Sequence, residues 1–294
     1  MTLSLKVGSR GSDLAVAQAE AVIKAIRDNN PDASIELVKI KTTGDMAPDD
    51  DIAASGGKGL FVRELEHALE VNTIDIAVHS YKDMPLEDNA ALPVVALSER
   101  ESPFDALVLP EGALDIDAGK PVGTSSLRRA AQFKKLYNGY EIAPVRGNIA
   151  TRLSKLDNGL YSALVLAQAG LNRLGLRHRI SRVFAADEMV PAGSQGIIAV
   201  QGRRGENHSY LDGFRSRRSE TVSRAERSFL KALGASCSAP VGVYAEIDGN
   251  SISVTGMYSE GAGRIETGCV SGSAGDAELL GEIMAIQLKK RFVN

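Results

Sequence analysis

The chain has 294 residues, with 34 Lys plus Arg against 37 Asp plus Glu; a net charge of −3 speaks against a dedicated nucleic-acid binder. At 44% hydrophobic and 24% charged residues the composition is globular, and the length suits about two domains at roughly 150 residues each. Two cysteines exclude a disulfide framework or a four-thiolate metal site, and apolar runs such as Ala163 to Ala167 fall far short of a membrane span.

The opening MTLSLKVGSR has no basic region followed by a long apolar stretch, so a soluble cytoplasmic protein is expected. Leu3 to Val7 reads as a strand, followed by Gly8-Ser9-Arg10-Gly11-Ser12. A helix is expected from about Asp13 to Asp28, because Leu14, Ala17, Ala21, Val22, Ala25 and Ile26 recur every three or four residues. Ser12 suits its N-cap, Asp13 the positive end of its dipole, and Pro31 forbids its continuation. Ile35 to Lys41 is the next strand, and the polar, glycine-rich Met46 to Gly59 reads as a mobile loop or lid.

A helix carrying Phe61, Leu65, Ala68 and Leu69 then leads to a strand at Ile74 to Val78. A strand at Asp105 to Leu109 precedes Pro121-Val122-Gly123 and a helix opening at Ser125. Ile142 to Val145 precedes a helix after Asn148, and Leu164 to Leu166 precedes one more. Such alternation predicts an α/β architecture with mostly parallel sheets covered on both faces. About 200 residues exceed one such unit, and Ser98 to Pro103 is the expected hinge between two. From Ser219 the rhythm changes to a helix with Val222, Ala225, Phe229 and Leu233, then strands at Val241 to Ile247, Ile252 to Tyr258 and Arg264 to Val270. With a hairpin turn at Asp248-Gly249-Asn250 and a final helix from Asp276 to Arg291, this is a small α+β domain with an antiparallel three-stranded sheet.

The placement of arginines carries the strongest chemical signal. Arg10, Arg128, Arg129, Arg146, Arg152 and Arg173 all lie near strand–helix junctions, where open α/β sheets bind ligands and helix N-termini favour anions. Arg128 and Arg129 open a helix, the wrong end of the dipole for a cation, which calls for an offsetting anion. The bland alternative makes each a solvated surface charge. Lys82-Asp83, after the strand at Ile74 to Val78, is suited to general acid–base work, or is a surface turn halted by Pro85. Cys237 sits in a small-residue loop behind a helix, whose end does not lower a thiol pKa; Cys269 reads as a core or edge residue. The four histidines lack paired metal spacing, and Gly56-Gly57-Lys58-Gly59 lacks the spacing of a phosphate-binding loop. The stretch 203 to 227, with seven Arg and four acidic residues, reads as a solvated helical face.

Several long segments together resemble the porphobilinogen deaminase (hydroxymethylbilane synthase) family. They are Ser9 to Ser12, Lys41 to Asp45, Gly56 to Val62, Asp75 to Asp83, Val122 to Arg129, Val145 to Asn148, Thr151 to Leu156, Ala169 to Gly175 and the Cys237 loop, in family order over nearly the whole chain. The resemblance implies two lobes like those of periplasmic binding proteins plus a third domain. The implied division is 1–98 with 194–214, then 99–193, then 215–294, with Gly193 to Gln201 as the return to the first lobe. It implies a transferase of tetrapyrrole and heme biosynthesis that condenses four porphobilinogen molecules head to tail, releasing ammonia each time. Growth starts on a dipyrromethane cofactor held as a thioether by Cys237, and hydrolysis to hydroxymethylbilane ends it.

By the same resemblance Asp83 is the catalytic group. Arg10, Ser12, Lys82, Thr124, Ser125, Ser126, Arg128, Arg129, Arg146, Gly147, Arg152, Arg173 and Gln195 bind cofactor or the growing polypyrrole, and Lys58 and Phe61 gate it. A lengthening chain of acetates and propionates accounts for many dispersed arginines. A monomer with neither nucleic-acid nor membrane partners is implied. Departures from the family pattern are Asp13 for a common proline, Ser194 for glycine, Gln201 for glutamate, and fewer glycines before Cys237. The competing class, a non-catalytic two-lobed anion- or solute-binding module, has no use for Lys82-Asp83 or for Cys237.

Overall fold

The computed structural model describes residues 3–42, 62–234, 240–260 and 264–293. The expected loop Met46 to Gly59, with Lys58, and the residues Phe61 and Cys237 lie outside them. In chain order the described residues form β1 (Ser4–Arg10), α1 (Asp13–Asn29), β2 (Ser34–Ile40), α2 (Arg63–Glu70), β3 (Ile76–Ser80), β4 (Val94–Leu97), β5 (Asp105–Val108) and β6 (Val122–Gly123). There follow α3 (Leu127–Leu136), β7 (Ile142–Ala143), α4 (Ile149–Asp157), β8 (Ala163–Ala167), α5 (Gln168–Arg173), β9 (Arg182–Val183) and β10 (Ile198–Gly202). The chain closes with α6 (Arg217–Leu233), β11 (Val241–Asp248), β12 (Ser251–Glu260), β13 (Arg264–Ser273) and α7 (Ala277–Val293). Two compact units result: Met1–Arg100 with Ile197–Glu220, and Glu101–Gly196 with Thr221–Asn294.

The first unit is one sheet in the order β2-β1-β3-β10-β4. β1 is parallel to β2 and to β3, while β10 runs antiparallel to both β3 and β4, so four of five strands share one direction. Alternating residues build two cores. Leu5, Val7, Ile76, Val78, Ile198 and Val200 meet Val22, Ile23 and Ile26 of α1 on one face. Ala77, Ile74 and Leu92 meet Leu65, Ala68 and Leu69 of α2 on the other. The Ser12 hydroxyl accepts from the Ala15 N–H at 3.4 Å and so starts α1, as expected.

β1 and β3 extend past the apolar runs that announced them, to Arg10 and Ser80. The partner strand explains β3, because Ser80 and His79 pair with Ile198 and Ala199 of β10 and the ladder outlasts the hydrophobic pattern.

The second unit holds a sheet of order β7-β6-β8-β5-β9, again with one reversed strand, β5. Phe133, Phe184, Met189 and Val165 pack on one face, and Leu153, Leu156, Leu164 and Leu171 on the other. Its second sheet is the antiparallel β11-β12-β13. Asp248 pairs with Ser251, leaving Gly249-Asn250 as the turn, and Gly249 supplies the required positive φ of 56°. A Cβ on Gly281 of α7 would lie 2.2 Å from the Ala225 carbonyl of α6, so these helices meet backbone to backbone.

The reading of 203 to 227 as a solvated face holds for Arg204, Arg215, Arg217, Arg218 and Arg224, which are exposed, but not for Arg203, Glu226 or Arg227. Arg203 donates to the Leu69 and Ile74 carbonyls and pairs with Asp75 and Glu206. Glu226 is fully buried and accepts from the N–H groups of Ser194 at 2.6 Å and Ala245 at 2.8 Å. No helix among the described residues is long and apolar enough to cross a membrane.

Candidate functional site

In the first unit the expected residues gather at the carboxyl ends of neighbouring parallel strands. Arg10 ends β1, Ser12 caps α1, and Lys82 and Asp83 lie in a single 3-10 turn, Tyr81–Asp83, beyond β3. Asp83 is exposed and Lys82 half-buried. The turn is anchored from below: the Tyr81 N–H donates to the Ile197 carbonyl at 3.0 Å, and Gln18 of α1 and Ser80 hydrogen-bond each other at 2.9 and 3.1 Å.

In the second unit the carboxyl ends of β6 and β7 carry a second gathering. The Ser125 hydroxyl donates to the Val145 carbonyl at 2.8 Å, tying the loop after β6 to the loop after β7. The Thr124 hydroxyl accepts from the Ser126 N–H, and Ser126 in turn caps α3 at the Arg129 N–H. Asn148 caps α4 at the Thr151 N–H, 2.8 Å. Gly147 sits at φ 108°, and the Arg152 Nε donates back to its carbonyl at 2.8 Å. Two helix N-termini, with Arg146 and Arg152 half-buried beside them and Ser125 and Gly147 exposed, thus point donors at one edge.

Arg128 and Arg129 turn inward instead. The anion that offsets them is part of the chain, since Arg128 Nη1 lies 2.6 Å from Asp105 Oδ2 and Arg129 Nη2 2.8 Å from Oδ1. Gln195 joins them through Nε2, 3.0 Å from Asp105 Oδ1 and 2.6 Å from the Pro103 carbonyl. Burial pushes the Asp105 carboxyl up, but the two guanidiniums and the hydrogen bonds of Arg128 and Gln195 outweigh it and hold the group well below the carboxylate range. Burial lowers Arg128 despite Asp105.

Arg173 belongs with neither gathering: it ends α5, and its Nη2 donates to the Gly196 carbonyl at 2.6 Å. Its burial lowers it, against the pull of Glu101. Asp105, Glu226 and Gln132, whose amide donates to the Val190 carbonyl at 3.1 Å and accepts from the Val190 N–H at 2.8 Å, escaped the sequence reading. The only signal for Asp105 was a charge opening the apolar run Ala106 to Leu109. Cys269 is an exposed thiol on β13, the edge of its sheet.

Residues 5–210 match the family model described as "Porphobilinogen deaminase, dipyromethane cofactor binding domain", and 221–290 match "Porphobilinogen deaminase, C-terminal domain". The chain is similar to the porphobilinogen deaminase of Ruminiclostridium josui, 50% identical over 97% of each chain. It is similar also to that of Ruminiclostridium cellulolyticum, 53% identical over 92% of each. Among solved structures, the periplasmic VFT2 domain of Bordetella pertussis BvgS matches at 15% identity and a TM-score of 0.40, covering 72% of this chain and 84% of that one.

Proposed function

The chain belongs to the porphobilinogen deaminase family, and from that premise we propose how its residues divide the work. It is a transferase that condenses porphobilinogen units into a linear tetrapyrrole on a dipyrromethane primer. When bound, the primer supplies the terminal pyrrole carbon on which the product grows.

The donor set at the carboxyl edge of β6 and β7 fits such a group. The first N–H groups of α3 and α4, Arg146 and Arg152 all donate, as acetate and propionate side chains require, while Ser125, its proton held by the Val145 carbonyl, fixes the loop beside them. Ser126, Thr124 and Gly147 shape the loops that present them. Arg128, Arg129 and Gln195 belong to the same set but are fixed on Asp105, so they act on a ligand chiefly through charge. Arg173, apart from that set, steadies the Gly196 segment. Cys237 attaches the cofactor, and Lys58 and Phe61 gate the growing chain.

Asp83 is the catalytic carboxylate. Exposed at the end of β3 beside Lys82, it holds a proton for the departing amino nitrogen of porphobilinogen and offsets the positive charge left behind. It then receives the proton released from the attacked ring carbon. Arg10, at the end of the adjacent strand, and Ser12 bind the carboxylates of the incoming monomer. The clustering of Arg10, Lys82 and Asp83 on neighbouring strand ends is the observation that carries this reading. The division into 1–98 with 194–214, 99–193 and 215–294 belongs to it, supported by the separate third sheet, as do a cytoplasmic setting and a monomeric state.

Intact mass and peptide mapping of the purified protein test it. A mass excess of two linked pyrrole units on the Cys237 peptide is expected, either as isolated or after incubation with porphobilinogen. A bare mass after that incubation overturns the assignment.

A further inference from the structure

Beneath the Lys82–Asp83 turn lies a polar group that none of these roles uses. His79 shares a face of β3 with Ala77, is 6% exposed, and buries an Nε2 that forms no hydrogen bond. Because Gly8 of β1 pairs with Ala77, the same parallel register sets Arg10 beside His79. On the other side Ala199 of β10 is opposite His79 and Gln201 opposite Ala77, which makes Gln201 the diagonal neighbour. Gln201 donates from Nε2 to Glu66 Oε1 and to the Leu92 carbonyl, each at 2.9 Å. Its Oε1 is the end left for the imidazole, and it too is buried short of a closed bond. The sequence singled out position 201, because a glutamate is the expected residue there.

We infer that His79 and Gln201 are a positioning pair for the catalytic turn: an amide rather than a carboxylate at 201 leaves the buried imidazole uncharged, and so keeps a second cation from forming next to Arg10 and under Asp83. The inference rests on the roles given above to Arg10 and Asp83. Burial pushes the imidazole down, Gln201 pulls it back and Arg10 pushes it further, leaving it at about 4. Charged or titratable groups on the surrounding elements are Lys6 and Arg10 on β1, Arg63, Glu64, Glu66, His67 and Glu70 on α2, and Lys82 and Asp83 themselves; β10 and β4 carry none. A carboxylate at 201 turns the two donors into acceptors facing Glu66 and the Leu92 carbonyl. The cluster must then take up a proton, and the imidazole is its basic member.

The test is Gln201→Glu in the full-length, cofactor-loaded enzyme. Its kcat profile gains an ionisation between about pH 5 and 8, activity falling roughly tenfold as pH drops through it. That ionisation disappears in the double variant Gln201→Glu/His79→Gln. A profile superimposed on wild type, or an ionisation that survives loss of His79, overturns the proposal. Imidazole resonances of histidine-labelled wild-type protein test it even if the variant does not fold. One of the four stays neutral down to about pH 5 and is absent from His79→Gln, whereas four ordinary titrations overturn it. The resonances do not depend on the role of Asp83, so failure of that role in an Asp83 variant is read separately.

Discussion

Arg129 reaches Asp105 from within the N-terminal turn of its helix, Nε at 2.9 Å and Nη2 at 2.8 Å from one carboxylate oxygen, and leaves the other oxygen to Arg128. Three charges, all less than a tenth exposed, thereby lock the start of α3 to the first residue of β5. A buried ion cluster is costly to assemble but costlier to break, because removing one member strands the others in a poor solvent. Asp105→Ala therefore lowers stability by about 3–5 kcal/mol, and Asp105→Asn by less. Urea unfolding at neutral pH measures both.

Asp105 also predicts an acid limb. Its folded pKa is depressed below the unfolded value of about 3.9, so the unfolded chain binds the proton more readily. The stabilisation is complete above that value and is lost as pH falls below it toward the folded pKa. Unfolding free energies at pH 6, 5, 4 and 3 should fall more steeply for wild type than for Asp105→Asn over the last interval. Parallel curves would sink the claim.

Apolar spacing and a capping Ser made α1 legible, and α3 and α4 were placed by the polar residues that open them, the Ser125 segment and Asn148. The edge positions of Arg10, Arg146 and Lys82-Asp83 were legible too, because residues after a strand inherit its end. The Asp105–Arg128–Arg129 cluster was not. Its members lie 23 and 24 residues apart and meet only because β5 sits beside β8 in reversed direction, which no local pattern encodes. The short strands β4 and β9 were missed likewise, as their pairing is imposed by β10 and β5.

Ser194 occupies a left-handed conformation, φ 60°, with its hydroxyl buried and unpartnered. That explains why glycine is the residue expected there. Relief of roughly 1–2 kcal/mol of left-handed strain, and of the unsatisfied hydroxyl, exceeds the added chain entropy of glycine. Ser194→Gly should raise stability by about 1 kcal/mol, visible as a higher urea midpoint at unchanged slope.

Gly147 has no such substitute. At φ 108° a side chain is strained, and a Cβ would lie 2.7 Å from Thr151 Cγ2 in the first turn of α4. Gly147→Ala should displace the loop carrying Arg146 and raise KM for porphobilinogen by roughly tenfold to a hundredfold. Arg146→Ala, which leaves the loop in place, should stall elongation at one stage. Mass spectra of the enzyme–substrate intermediates separate the two: a shifted distribution is expected for Arg146→Ala, and an unchanged one would remove it from the binding set.

Asp83 gives the sharpest division between holding and reacting. Its carboxylate is exposed and the turn around it is fixed by backbone and by Gln18–Ser80, so truncation leaves the scaffold standing. Asp83→Ala should load the cofactor normally, by intact mass, while turnover falls by about 10²- to 10⁴-fold, as for loss of a positioned acid–base group. Single-turnover release of ammonia locates the loss in the chemical step rather than in binding. Near-normal release from a fully loaded variant would move the proton transfer to another residue, and Lys82, next to it in the same turn, would be the first to substitute.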